Sequence, residues 1–220
     1  SGILLASVLG GLVSSTAMTL TLARLAKTQM DASTLSAGLL LSSALMFPRV
    51  LIVSAIVAPP LLTLLSGPLM LAMVCYLAGA GWLVLVSQRR SVPTHLAVDQ
   101  GLQNPFQIGQ ALRFTLVLVM IMFAVEVARA FFGDAGVWLT AAISGAADVD
   151  AINLSLSRIA GSELSLALAG QGILIAALSN SIFKLVLSWS IGGHAIGWRT
   201  LPFVATGVGV AIASIGWLTY

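Results

Sequence analysis

Charge is what this chain has least of. Only 8% of its 220 residues are Asp, Glu, Lys or Arg, where a soluble globular domain carries about 25%. That scarcity excludes a soluble fold, because 59% of the residues are hydrophobic and they gather in separate runs of about 20, each long enough to span a bilayer core. A secretory signal would be one short run at the start, so it does not explain the pattern. Cysteine is nearly absent: Cys75 stands alone, which excludes an intrachain disulfide and a cysteine-built zinc site. His95 and His194 have no ligand spacing to another His or Cys and read as incidental. No nucleophile, base and orienter set stands out and no GxxxxGK[ST] loop is present, so enzyme activity is not expected. The net charge of +3 comes from basic residues scattered at segment ends rather than clustered on a face, which speaks against nucleic acid as a partner.

What is there predicts an all-α polytopic membrane bundle. Seven transmembrane helices are expected near residues 2–23, 33–58, 61–86, 111–132, 137–159, 164–190 and 200–219. Pro59-Pro60 makes the second connection a short turn, since neither residue offers an N–H to a continuing helix. The one substantial polar stretch separates a first membrane half, residues 1–87 with three helices, from a second, residues 111–220 with four; residues 88–110 are the linker. Arg24 and Lys27, then Arg89, Arg90 and Arg113, then Arg158 fall in alternate connections. Lys and Arg are retained on the cytoplasmic side, so the linker is expected in the cytoplasm and both ends of the chain outside.

The two halves resemble each other. GLVSSTAMTLTLAR (Gly11 to Arg24) lies over GAADVDAINLSLSR (Gly145 to Arg158) without a gap, a shift of 134 positions. The same shift pairs Gly38 with Gly172 and Leu40 with Leu174. Self-similarity in one register marks an internal repeat. Four spans separate the first helix from the fifth, so the halves are expected to share one orientation, and a helix equivalent to the fourth is expected before Ser1.

Asp148 and Asp150 lie in the middle of the fifth apolar span. A carboxylate at that depth costs roughly 2.5–3.5 kcal/mol even on the lenient insertion scale, so intramembrane acids point to function by default. Two residues apart on a straight helix they diverge by about 200°; Asp150 and Asn153 share a face, and Asp148 either points elsewhere or marks a break. With Asn153 and Ser155 they offer hard oxygen ligands of the kind that suit Mg²⁺. The repeat sets Ser14 over Asp148, Thr16 over Asp150 and Thr19 over Asn153, which makes Ser14, Ser15, Thr16 and Thr19 the uncharged counterpart; alone, such hydroxyls read as interhelical packing. Asn180 and Lys184 share a helix face, and Lys184 is the candidate to neutralise Asp148 or Asp150. Arg49, one residue off the strict shift from Lys184, follows Pro48 and an expected kink. Snorkelling to the interface is the structural alternative for both cations. Glu126 and Arg129 read as a local ion pair.

LGGLVSSTAMTLTLAR, the linker ending NPF, FGDAGVWLTAAISGAADVDAINLSLSR and AALSNSIFK together resemble the membrane domain of unknown function that follows the MgtC domain in bacterial MgtC/SapB-type proteins. The resemblance covers nearly the whole chain. It implies a multi-pass protein of the bacterial inner membrane with a cation-related role, magnesium among the candidates.

The expected function is a secondary transporter or channel-like carrier for a cation, divalent such as Mg²⁺, with the site where the repeats meet. Asp148 and Asp150 are the metal ligands, Asn153, Ser14, Ser15, Thr16, Thr19 and Asn180 supporting groups, and Lys184 the counter-charge that holds the empty carboxylates until the cation or a proton arrives, with Arg49 its near-equivalent in the first half. Two other readings stay open: a non-transporting regulator or assembly module whose polar residues fix helix packing, and an anion or small-metabolite transporter using Lys184 and Arg49. The expected surroundings are the lipid bilayer and the cation, with a homodimer as the candidate assembly and no cofactor beyond a bound divalent ion.

Overall fold

A computed structural model describes residues 2–28, 31–88, 119–120, 123, 127–128 and 131–217. The described residues form helices and no strand: α1 (Gly2–Leu25), a 3-10 turn (Ala26–Thr28), α2 (Ala32–Ala44), α3 (Met46–Val57), α4 (Leu61–Gln88), α5 (Asp134–Ala147), α6 (Val149–Ile159), α7 (Leu166–Gly192) and α8 (His194–Trp217). Five spans are long and apolar enough to cross a bilayer: α1, α2 with α3, α4, α7, and α8 as far as Ala213. The chain is thus an all-helical, multi-pass membrane protein. The fifth expected span, 137–159, is a broken pair, α5 and α6. The fourth, 111–132, lies almost wholly outside the described residues, as do His95, Glu126, Arg129 and the linker from Arg89 to Gln110.

Local chemistry sets the helix ends. Asp31 caps α2 by accepting the Thr34 N–H at 2.9 Å, which satisfies one of the orphan donors of a helix start. Leu45 ends α2 one residue before α3 begins. The cause is Pro48, whose ring nitrogen has no hydrogen to give the Ala44 carbonyl four residues back. Pro59 and Pro60 form the turn into α4, with Leu61 N–H bonding to the Ala58 carbonyl at 2.9 Å. Between α7 and α8, Gly193 takes φ +82, a left-handed conformation that costs glycine nothing.

The helices assemble into two compact units. The first comprises Ser1–Arg49, Pro68–Val98 and Ser181–Ala213; the second comprises Val50–Gly67, Asp99–Asn180 and Ser214–Tyr220. Each unit draws on both halves of the sequence, and the divisions fall inside α3, α4, α7 and α8 rather than only in the linker. In the first, α1 packs along α2 over a core of Ile3, Met18, Leu22, Leu35, Leu39 and Ile196. In the second, Val137, Ala141, Ile152, Leu156 and Ile173 are fully buried. Outward positions such as Val13 (80% exposed) and Ile56 (76%) are apolar too, as lipid rather than water as solvent requires.

Candidate functional site at two helix breaks

Ser14 interrupts α1 with extended backbone, φ −156 and ψ 105. Asp148 separates α5 from α6 with nearly the same pair, φ −153 and ψ 116. The two positions are 134 apart, the shift of the sequence repeat. Both side chains cap the helical segment that follows. Ser14 Oγ accepts the Ala17 N–H at 3.3 Å, and Asp148 Oδ1 accepts the Asp150 N–H at 2.9 Å. Serine and aspartate favour this role because their short oxygen arm reaches a free N–H of the first turn. Asp148 therefore marks a break rather than pointing to a neighbouring helix. Asp150 occupies the first turn of α6, where the helix dipole favours a negative charge.

The surroundings of the breaks correspond at the same shift. A Cβ on Gly11 would meet Ser42 Cα at 2.8 Å, and one on Gly145 would meet Ala176 Cβ at 2.7 Å; Ser42 and Ala176 are 134 apart. A Cβ on Gly38 would meet Leu22 Cδ1 at 3.5 Å, and one on Gly172 would meet Leu156 Cδ1 at 2.7 Å. Asp31 capping Thr34 has its counterpart in Ser165 accepting the Leu168 N–H at 3.2 Å. One difference is local: Pro48 interrupts α2–α3, whereas its counterpart Ile182 leaves α7 continuous.

The break in the first unit is cationic. Lys184, 2% exposed, places its ammonium 2.7 Å from Ser15 Oγ and 3.8 Å from Met46 Sδ. Arg49 donates to the Leu12 carbonyl at 3.4 Å, just ahead of Ser14. Residues 169 apart in sequence, Ser15 and Lys184, thus meet at one point of the fold. Thr19 is fully buried and returns its hydroxyl to the Ser15 carbonyl at 2.9 Å. Thr16 is half-buried.

The break in the second unit is acidic and amide-lined. Asn180, 2% exposed, donates its amide to the Gly145 carbonyl at 2.8 Å, and Ser179 Oγ donates to Ala142 O at 2.6 Å. The Gly145 carbonyl belongs to the last turn of α5, where helical donors run out. Asn153 is fully buried; it donates to Val50 O at 3.1 Å and accepts from Ser54 Oγ at 3.0 Å and Ser157 Oγ at 3.4 Å. Its amide is taken up in cross-helix bonding. The buried Ser155 hydroxyl and Asn180 Oδ1 have no protein partner.

No group of three or more His, Cys, Asp or Glu that could hold a metal occurs among the described residues. A cation here would draw on carboxylate, amide and carbonyl oxygens together. Among the partners found, Ser54, Met46 and Ser179 carried no signal as single residues in apolar spans. The 134 shift did hold one: it sets Ser54 over Ser188, also fully buried.

The family described as Domain of unknown function (DUF4010) matches residues 1–192. An "Uncharacterized protein" of Aquifex aeolicus (strain VF5) is 30% identical over 184 residues, covering 83% of this chain and 79% of that protein. No solved structure matches.

Proposed function

We propose, from the premise that the chain belongs to the DUF4010 family of domains of unknown function, that it is a membrane carrier for a cation, with the broken pair α5–α6 as its ion-binding element. The observation that carries this is the pair of helix breaks at Ser14 and Asp148, in equivalent positions and with equivalent dihedrals. Discontinuous membrane helices at repeat-related positions are a transporter plan, because irregular backbone at membrane depth is tolerated only where it is buried in protein or lines a cavity. The matched contacts around the breaks support descent of the two halves from one duplicated unit. Asp148 and Asp150 supply the negative charge, and the role assigns the chain no reaction chemistry.

Under this reading the ion is a hard divalent cation, Mg²⁺ in the first instance, which keeps several waters and needs only one or two carboxylates. The bacterial inner membrane, with the linker in the cytoplasm, belongs to the same proposal, resting on the placement of Lys and Arg and on the resemblance of the motifs. Uptake of Mg²⁺ into proteoliposomes tests it. Wild-type flux is expected to fall to the empty-liposome rate when Asp148→Asn and Asp150→Asn are combined; flux that survives the pair sinks the reading.

Two observations favour other roles. Lys184 and Arg49 both serve the α1 break, as an anion carrier would require; replacing both would then abolish anion binding, whereas under the cation reading it only perturbs cation selectivity. The Asn153 bonds to Val50 and Ser54 suit a non-transporting packing module, in which the acidic substitutions alter stability and no flux exists.

A further inference from the structure

Asn180 is a buried amide used on one side only. Its Nδ2 is fixed on the Gly145 carbonyl at 2.8 Å, while its Oδ1 has no protein partner. A buried acceptor left empty is costly, more so where water is scarce. The bond to Gly145, three residues before Asp148, fixes the amide beside the last turn of α5. Asp148 spends one carboxylate oxygen on the Asp150 N–H and keeps further lone pairs, since an ionised carboxylate accepts at about four sites.

The first unit shows what belongs in such a place. At the shift of 134, Ser14 corresponds to Asp148, Met46 to Asn180, and Val50 to Lys184. In the first unit the Lys184 ammonium lies beside Met46 Sδ and on Ser15 Oγ, next to the Ser14 break. In the second, the segment that would bring the ammonium brings Val50 instead, held against α6 through the Asn153 amide at 3.1 Å. Around that spot the lining changes in one direction: Ser14 has its counterpart in Asp148, and Met46 in Asn180, an amide with a bare oxygen. Each exchange adds a hard acceptor.

We propose that the second unit binds a free hard cation at the Asp148 break, ligated by Asn180 Oδ1 and the Asp148 carboxylate, in the place that the Lys184 ammonium fills in the first unit. This deepens the carrier reading above, and rests on it for the ion's movement but not for its binding. The donors are oxygens, which select alkali and alkaline-earth ions over soft metals. One ion binds per chain, because the first break already holds its own positive charge.

The test uses the whole chain, purified in detergent at constant ionic strength with choline as the background cation. NaCl, KCl and MgCl₂ are titrated separately, and thermal unfolding and calorimetric binding are followed. One of the three salts is expected to raise the midpoint saturably with about one site per chain. Asp148→Ser keeps the cap that Ser14 shows a serine makes, and Asn180→Met installs the residue found at the equivalent position. Each is expected to weaken the apparent affinity at least tenfold with helical circular dichroism retained; Asp148→Ser alone decides the matter where Asn180→Met does not fold. Absence of saturable binding by all three ions, or unchanged affinity in Asp148→Ser, overturns the site; the latter result with proteoliposome flux intact leaves the carrier reading standing. Binding that is lost in the variants supports the site even where wild-type protein shows no flux, a result that removes only the carrier reading.

Discussion

Replacing Gly145 by alanine tests the closest helix crossing in the second unit. The new Cβ would lie 2.5 Å from the Ala176 carbonyl oxygen and 2.7 Å from its Cβ, where ordinary contact is about 3.5–4.0 Å. The obstacle is mostly backbone, so a rotamer change cannot relieve it, and α5 and α7 must separate by about 1 Å. Such a gap forfeits a quarter to a half of each dispersion well along the crossing, and overpacking of this kind costs about 1–3 kcal/mol. Alanine returns up to about 1 kcal/mol through its higher helix propensity, leaving a net loss of about 1–2 kcal/mol. Gly11→Ala meets Ser42 atoms at 2.8–3.1 Å, a milder clash, and should lose about 1 kcal/mol or less. Gly81 has nothing within 4 Å, so Gly81→Ala should be neutral or gain up to about 1 kcal/mol. Unfolding in mixed micelles of rising dodecyl sulfate content, followed by circular dichroism, ranks the three. A Gly145→Ala protein as stable as wild type, or a Gly81→Ala protein equally destabilised, would refute the close approach.

Ser15→Ala removes an acceptor from the buried Lys184 ammonium and should cost about 1.5–3 kcal/mol, the range for hydrogen bonds to charged groups, in the same unfolding assay; no loss would mean that this bond contributes nothing. Asn153→Leu breaks the bonds to Val50 and Ser54 at roughly 0.6 kcal/mol each in a membrane, so a loss of about 1–1.5 kcal/mol is expected, and a gain would count against the packing role. At the mouth of α2, burial raises the Asp31 carboxyl, but hydrogen bonds from Ser87 and Thr34 outweigh it and hold its pKa below the usual 3.8. Its contribution to stability is therefore complete above pH 3.8 and is lost as pH falls through the lower folded value. Asp31→Asn should flatten that acid limb, and an unchanged limb would show that the cap is not coupled to folding.

The shift of 134 was legible because it is written in residue identity: two glycine pairs, one arginine pair and a run of polar positions in one register. The Asp148 alternative, divergence or a break, was legible from the helical angle alone; which of the two holds depends on whether the carboxylate finds the Asp150 N–H, and that is a matter of backbone geometry. Lys184 was recognisable as a buried cation. Its contact with Ser15 was not, since the two are 169 residues apart and nothing in an apolar helix announces which hydroxyl it will meet. Ser54 illustrates the same limit: a lone serine in a membrane helix has many possible partners, and only packing selects Asn153.

By itself the sequence determined that the chain is helical and membrane-spanning, where the proline turn at Pro59-Pro60 falls, and which positions a shift of 134 brings together. These follow from hydropathy, from proline chemistry, and from register, all of which are local. The tertiary structure decided that Ser14 and Asp148 both break their helices, that one break receives an ammonium, and that the other is left with a bare amide oxygen. The breaks depend on backbone geometry at Ser14 and Asp148, and the contacts join residues far apart in sequence, Val50 with Asn153 and Ser15 with Lys184, pairings that no stretch of sequence specifies on its own.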